Sequence, residues 1–98
     1  MDYAVMFEDN DDKAGKRAEF MKEHLAFLRM NAAQVSAAGP LNDAGNGSPA
    51  GGLWLVSAKS PDEVEALVKA DPFWPTGLRK SYTILEWTKV HSVQAGRP

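Results

Sequence analysis

Ninety-eight residues, 44% of them hydrophobic and 24% charged, describe one soluble globular domain and exclude a disordered chain. Eleven basic residues against thirteen acidic ones give a formal charge of −2 without a long single-sign run, which excludes the electrostatic footprint of a nucleic-acid binder. The lack of cysteine removes disulfides, thiol nucleophiles and thiolate metal sites. With no stretch near the ~18 apolar residues that span a bilayer, and no basic or apolar leader in MDYAVMFEDN, a cytoplasmic protein is expected.

Tyr3 to Phe7 alternate, with Tyr3, Val5 and Phe7 on one face and Ala4 and Met6 on the other, so a short strand is expected before the acidic stretch Glu8 to Asp12. From about Asp12 to Asn31 the period becomes helical. Arg17, Met21, His24 and Leu28 fall on one line with Phe20, Phe27 and Met30 beside it, and Asp11 or Asp12 is the expected N-cap. Ala33 to Ala38 reads as a small-residue strand that ends at Gly39-Pro40. The run from Asn42 to Pro49 is a long hairpin loop, and Gly51 to Ala58 is a third strand. Ser60-Pro61-Asp62-Glu63 carries a cap, a proline at the first helical position and an acidic first turn. The second helix therefore runs from Pro61 to about Ala70 with Val64, Leu67 and Val68 inward, and Asp71-Pro72 stops it. An aromatic, proline-punctuated loop spans Phe73 to Leu78, and the last strand is expected over Ser81 to Val90.

The order strand, helix, strand, strand, helix, strand predicts an α+β fold. It is the ferredoxin-like βαββαβ arrangement, a four-stranded antiparallel sheet with two helices on one face. The domain is expected to cover residues 1–91, with a flexible tail over 92–98. Strands three and four are apolar on both faces: Leu53 and Leu55 oppose Trp54 and Val56, and Ile84 opposes Leu85 and Trp87. A sheet with helices on one side only should turn a polar face outward, so a second copy of the sheet is the simplest cover, and a homodimer is expected. So short a chain buries only roughly 60–70% of its extended surface, which makes such a partner more valuable.

Few residues offer chemistry. His24 shares a helix side with Arg17, and a histidine on such a line is either a structural residue or an acid–base group. Asp71 follows a helix C-terminus, where the macrodipole disfavours a carboxylate, so it either initiates a turn before Pro72 or answers a partner. In a split βαβ fold the two helices lie side by side, which lets Asp71 reach His24, fix its tautomer and leave the second ring nitrogen as a general acid or base. Phe73 and Trp74 either wall a pocket beside that pair or plug the end of the core. The Gly39-Pro40 to Gly47 stretch lacks the lysine and the following helix of a phosphate loop, and no metal-ligand cluster, serine elbow or cofactor motif is present.

The chain resembles the YCII-related (YciI-like) proteins. The residues that carry this are Tyr3 to Phe7, Arg17 and His24-Leu25, Ala38-Gly39-Pro40-Leu41, Asp71-Pro72-Phe73 with Gly77, and Trp87-Thr88-Lys89-Val90. The resemblance implies a ferredoxin-like sheet that pairs face to face as a dimeric α+β barrel, and an active site built on a His–Asp pair, here His24 and Asp71. It also implies kinship to a dehydrochlorinase acting on a hydroxylated ring. On this basis a cofactor-independent enzyme is expected, acting on a small polar or aromatic substrate, with Arg17, Gly39, Pro40, Phe73 and Trp74 as substrate contacts. The rival expectation is a non-catalytic small-molecule binding or interaction module in which the same pair only ties two helices together. Neither nucleic acid nor membrane is expected as a partner.

Overall fold

The computed structural model describes residues 1–93. Its elements follow the expected order: β1 (Asp2–Asp9), α1 (Gly15–Glu19), α2 (Met21–Met30), β2 (Val35–Asn42), β3 (Pro49–Ser57), α3 (Pro61–Ala70) and β4 (Arg79–Glu86). Short 3-10 turns at Asp11–Lys13 and Trp74–Thr76 precede α1 and β4. The four strands form one antiparallel sheet in the order β2-β3-β1-β4. The chain is thus a ferredoxin-like α+β domain.

Alternation in β1 works as the residue pattern demands. Tyr3, Val5 and Phe7 are buried, and each faces a strand-three position across the pair, Val5 against Trp54 and Tyr3 against Val56. Val35 from β2, Val64, Leu67 and Val68 from α3, and Phe27 and Leu28 from α2 complete one core on that side of the sheet. Trp54 is its largest member, edge-on to Phe7 at 5.1 Å.

Helix α3 starts and stops where its local signals say. Ser60 Oγ accepts a hydrogen bond from Glu63 N at 3.3 Å, Pro61 sits in the first turn, and Asp71 leaves the helix in an extended conformation before Pro72. The first helical stretch departs from expectation. Instead of one helix from Asp12, a 3-10 turn is followed by α1 and α2, kinked at Phe20 (φ −108, ψ 13), although Phe20 N still reaches Lys16 O and His24 N still reaches Phe20 O. Neither Asp11 nor Asp12 caps it, because the strand exit is tied down by Asn10, which donates through N and Nδ2 to Leu78 O and Gly77 O, both at 2.8 Å. Met30, expected beside the buried line, is 86% exposed.

Strand bounds also move, with β3 starting two residues early at Pro49 and the larger shifts in β2 and β4. β2 begins at Val35, later than Ala33, and runs through Gly39-Pro40 to Asn42. An edge strand tolerates a proline, since one of its sides makes no ladder bonds. β4 begins at Arg79 and ends at Glu86, so Trp87 to Val90 lie beyond it. Within the expected tail, Ser92 and Val93 are exposed, and 94–98 lie outside the described residues.

Candidate active site

The kink leaves Arg17 of α1 and His24 of α2 on one side of the helical pair, above the sheet, where the end of α3 arrives. His24 Nδ1 lies 2.8 Å from Asp71 Oδ1, with the two residues 6% and 2% exposed. The same oxygen accepts from Phe73 N at 3.1 Å, and Trp74 N donates to Asp71 O at 2.8 Å. Asp71 therefore fills both roles open in the sequence, turn initiator and histidine partner. The Phe73 ring stacks on the imidazole, 4.0 Å between centroids and 14° from parallel, so the ring is held by a bond at one edge and a face contact.

An ionised carboxylate only accepts hydrogen bonds. The Nδ1 position therefore carries the proton, and in the neutral imidazole Nε2 holds the lone pair. Nε2 makes no hydrogen bond to the described residues. Nor is it sealed from solvent, because among those residues Arg79 Nε is the one sealed side-chain nitrogen or oxygen that lacks a partner.

Reasoning from sequence missed two members of this site, Asp9 and Arg79. Arg79 Nη1 donates to Asp9 Oδ1 at 3.2 Å, its Nη2 lies 3.9 Å from Asp71 Oδ2, and Arg17 Nη2 bonds the other Asp9 oxygen. Charges thus alternate in space as Arg17, Asp9, Arg79, Asp71, with His24 at the end. The Arg79 guanidinium carbon sits 4.1 Å over Phe7 and 5.4 Å over Phe73, and that of Arg17 sits 5.5 Å over Phe73. Burial pushes the Arg79 pKa below its ordinary value and Arg17 adds to this, while the Asp9 and Asp71 charges oppose it.

Arg79 escaped notice because strand periodicity points it the wrong way. Tyr82 and Ile84 face the core, which by alternation would turn Lys80 inward and Arg79 outward. A register shift pairs Glu8 with Ser81 but Asp9 with Arg79, and this bulge brings Arg79 inside. The one sequence hint was Gly51-Gly52 on the facing strand. A Cβ on Gly52 would stand 3.2 Å from Arg79 Nη1, and a Cβ on Gly51 (φ +95) would stand 1.9 Å from Phe7 O.

A chamber of about 90 Å³ is bounded by Arg17, His24, Gly39, Pro40, Trp54 and Arg79. It adjoins a wider groove of about 690 Å³ that shares Arg17 and Pro40 and is bordered by Asp9, Ser48 and Leu78. The structure thus brings His24, Asp71, Phe73, Arg17, Gly39 and Pro40 into one region. Trp74 stands apart: its ring is edge-on to Tyr82 at 5.5 Å and packs against the core, away from the chamber. No group of three His, Cys, Asp or Glu that could hold a metal occurs among the described residues. No helix among them is long and apolar enough to cross a membrane.

Comparison with known proteins agrees with this architecture. No curated protein sequence matches the chain. Among solved structures, 5-chloro-2-hydroxyhydroquinone dehydrochlorinase (TftG) of Burkholderia phenoliruptrix AC1100, in complex with 2,5-dihydroxybenzoquinone, superposes with a TM-score of 0.78 at 28% identity, over 90% of this chain and 94% of that one. The Arabidopsis thaliana protein At3g17210 is a remoter likeness, with a TM-score of 0.48 and 12% identity over 95% of this chain and 98% of that one. The model of the YCII-related domain matches residues 1–88, and with that coverage the chain belongs to the YCII-related family.

Proposed function

We propose that the protein is a cofactor-independent enzyme in which His24, oriented by Asp71, moves a proton on a small polar or aromatic substrate, with Arg17 as an anion contact. The observation that carries this reading is the division of labour on one ring. Nδ1 is committed to Asp71 at 2.8 Å, whereas Nε2 has no partner among the described residues and the residue borders a chamber. A general base needs that arrangement, with the tautomer set on one side and a free lone pair on the other. When Nε2 takes a proton, the adjacent Asp71 carboxylate stabilises the imidazolium.

The likeness to TftG supports a hydroxylated ring as the substrate class, since that relative is a dehydrochlorinase bound to a dihydroxybenzoquinone. Loss of HCl from such a ring is redox-neutral. One C–Cl bond breaks, chloride leaves with its electron pair, and one proton passes to a base, so no electron carrier is required. Incubation with 5-chloro-2-hydroxyhydroquinone, followed by chloride release, tests the reading. His24→Ala and Asp71→Asn should each lower turnover roughly 10²–10⁴-fold, with little change in melting temperature. Turnover that survives both substitutions would remove His24 from the mechanism.

A second reading, a binding module in which the pair is purely structural, draws on the near-complete burial of Asp71 and its bond to Phe73 N. It predicts the reverse pattern: each substitution costs several kcal/mol of stability, on the order of 3–5, because a buried charged group loses its partner.

The proposal includes a cytoplasmic homodimer joined through the outer sheet face. Its support is the apolar surface there, with Leu85 49% and Trp87 42% exposed beside half-buried Leu53 and Leu55, and an open groove of about 420 Å³ between them.

A further inference from the structure

The charge count of the cluster, in which Asp71 and Arg79 are buried and Asp9 and Arg17 half-buried, has a consequence for what the chamber can bind. Asp9 and Asp71 contribute two negative charges, and Arg17 and Arg79 two positive ones, so with His24 neutral the cluster is balanced. Arg79 nevertheless has spare capacity. Of its five N–H groups, one bonds Asp9 and those of Nη2, 3.9 Å from Asp71, stand outside hydrogen-bond distance of it; Nε has no partner among the described residues but is sealed, so Nη1 and Nη2 are the nitrogens left for a ligand. Arg17 spends one nitrogen on Asp9, and both arginines border the chamber with His24.

An organic anion placed there meets unspent N–H groups and also adds one negative charge to a partly enclosed region. The group that can restore balance near neutral pH is His24, whose Nε2 is free to accept a proton while Nδ1 stays on Asp71. No other titratable side chain among the described residues borders the chamber, whose remaining wall is apolar side chains, glycine and proline. We propose that the chamber between Arg17, His24 and Arg79 is a site for a small organic oxyanion, and that each anion enters together with one proton taken up by His24. This rests on the reading of His24 as a proton carrier, and it adds the ligand's charge: an anionic ligand meets His24 as an imidazolium, which serves as a general acid, whereas a neutral substrate meets the Nε2 lone pair that serves as a general base.

Calorimetric titration of the intact protein with sodium benzoate, in two buffers of different ionisation enthalpy at pH 8, reads both parts. Benzoate should bind with uptake of about one proton, and benzamide, its neutral counterpart, at least roughly tenfold more weakly. Benzoate affinity should fall by up to about tenfold per pH unit as the pH rises through the range in which His24 is neutral in the free protein. Arg17→Gln should lower the affinity about tenfold or more, and His24→Gln should abolish both the proton uptake and the pH dependence. Equal binding of benzoate and benzamide, or no benzoate binding at pH 6 in millimolar excess, would overturn the anion site. Binding with no buffer-dependent heat would overturn the coupling. None of these measurements requires turnover, so the anion site can stand if His24 proves dispensable for catalysis, and it can fall while His24 remains essential.

Discussion

The two faces of the sheet solve the same problem differently. On the inner face, Val5, Trp54 and Val56 are covered by α2 and α3, and at one end Asp71 and Arg79 are buried and Asp9 and Arg17 half-buried, each charge beside an opposite one. On the outer face, Met6 of β1, Leu85 of β4 and Trp87 just beyond β4 remain exposed. A period-two pattern can specify two apolar faces, but one chain of this length supplies helices for only one of them. The inner face is covered by helices of the same chain and holds the His24–Asp71 pair. The outer face is the one that asks for a partner.

Arg79→Ala should separate the two faces most sharply. Its side chain is 3% exposed, and its removal leaves Asp71 without a nearby cation and Asp9 with Arg17 alone. The expected loss is on the order of 3–5 kcal/mol in chemical denaturation. A loss below about 1 kcal/mol would mean that the alternating charges are not held as a unit.

On the outer face, Leu85→Asp should leave the fold intact, within about 0.5 kcal/mol for the monomer, because the side chain is half exposed. It should abolish association. Light scattering at micromolar concentration is expected to give about 21 kDa for the wild type, twice the 10.7 kDa chain, and the single-chain mass for the variant. A wild type that stays monomeric would refute the dimer.

Ser60→Ala removes the one side-chain helix cap in α3 and should cost about 1 kcal/mol, with turnover unchanged because the cap lies at the other end of the helix from Asp71. The smallest effect concerns Glu65 on the solvent side of α3. The Tyr82 hydroxyl and then Lys69 hold its carboxyl below the ordinary value of 4.5. Its pKa being depressed on folding, this contribution is present above 4.5 and is lost as the pH falls through the folded value. Glu65→Gln should therefore lower stability slightly at pH 7 and leave it nearly unaltered at acid pH below the folded value, where the wild-type carboxyl is itself neutral. A change confined to acid pH and absent at pH 7 would contradict that assignment.

What could be read from residues alone were features set by near neighbours in the chain. The bounds of α3 follow from Ser60, Pro61 and Asp71-Pro72. The inner line of β1 follows from alternation, and the shared side of Arg17, Met21, His24 and Leu28 survives the kink because helical spacing holds on both sides of it. The meeting of His24 with Asp71 could be anticipated because the order of elements dictates which helix ends lie side by side. Other features had no local signal. The kink at Phe20, the strand that continues through Gly39-Pro40 on a sheet edge, and the inward turn of Arg79 each depend on contacts between distant segments. Arg79 is the clearest case, since its position is decided by a register shift against β1 and by the space left at Gly52. Short-range periodicity records which face a residue prefers in a regular strand, and only pairing with the neighbouring strand decides where that regularity breaks.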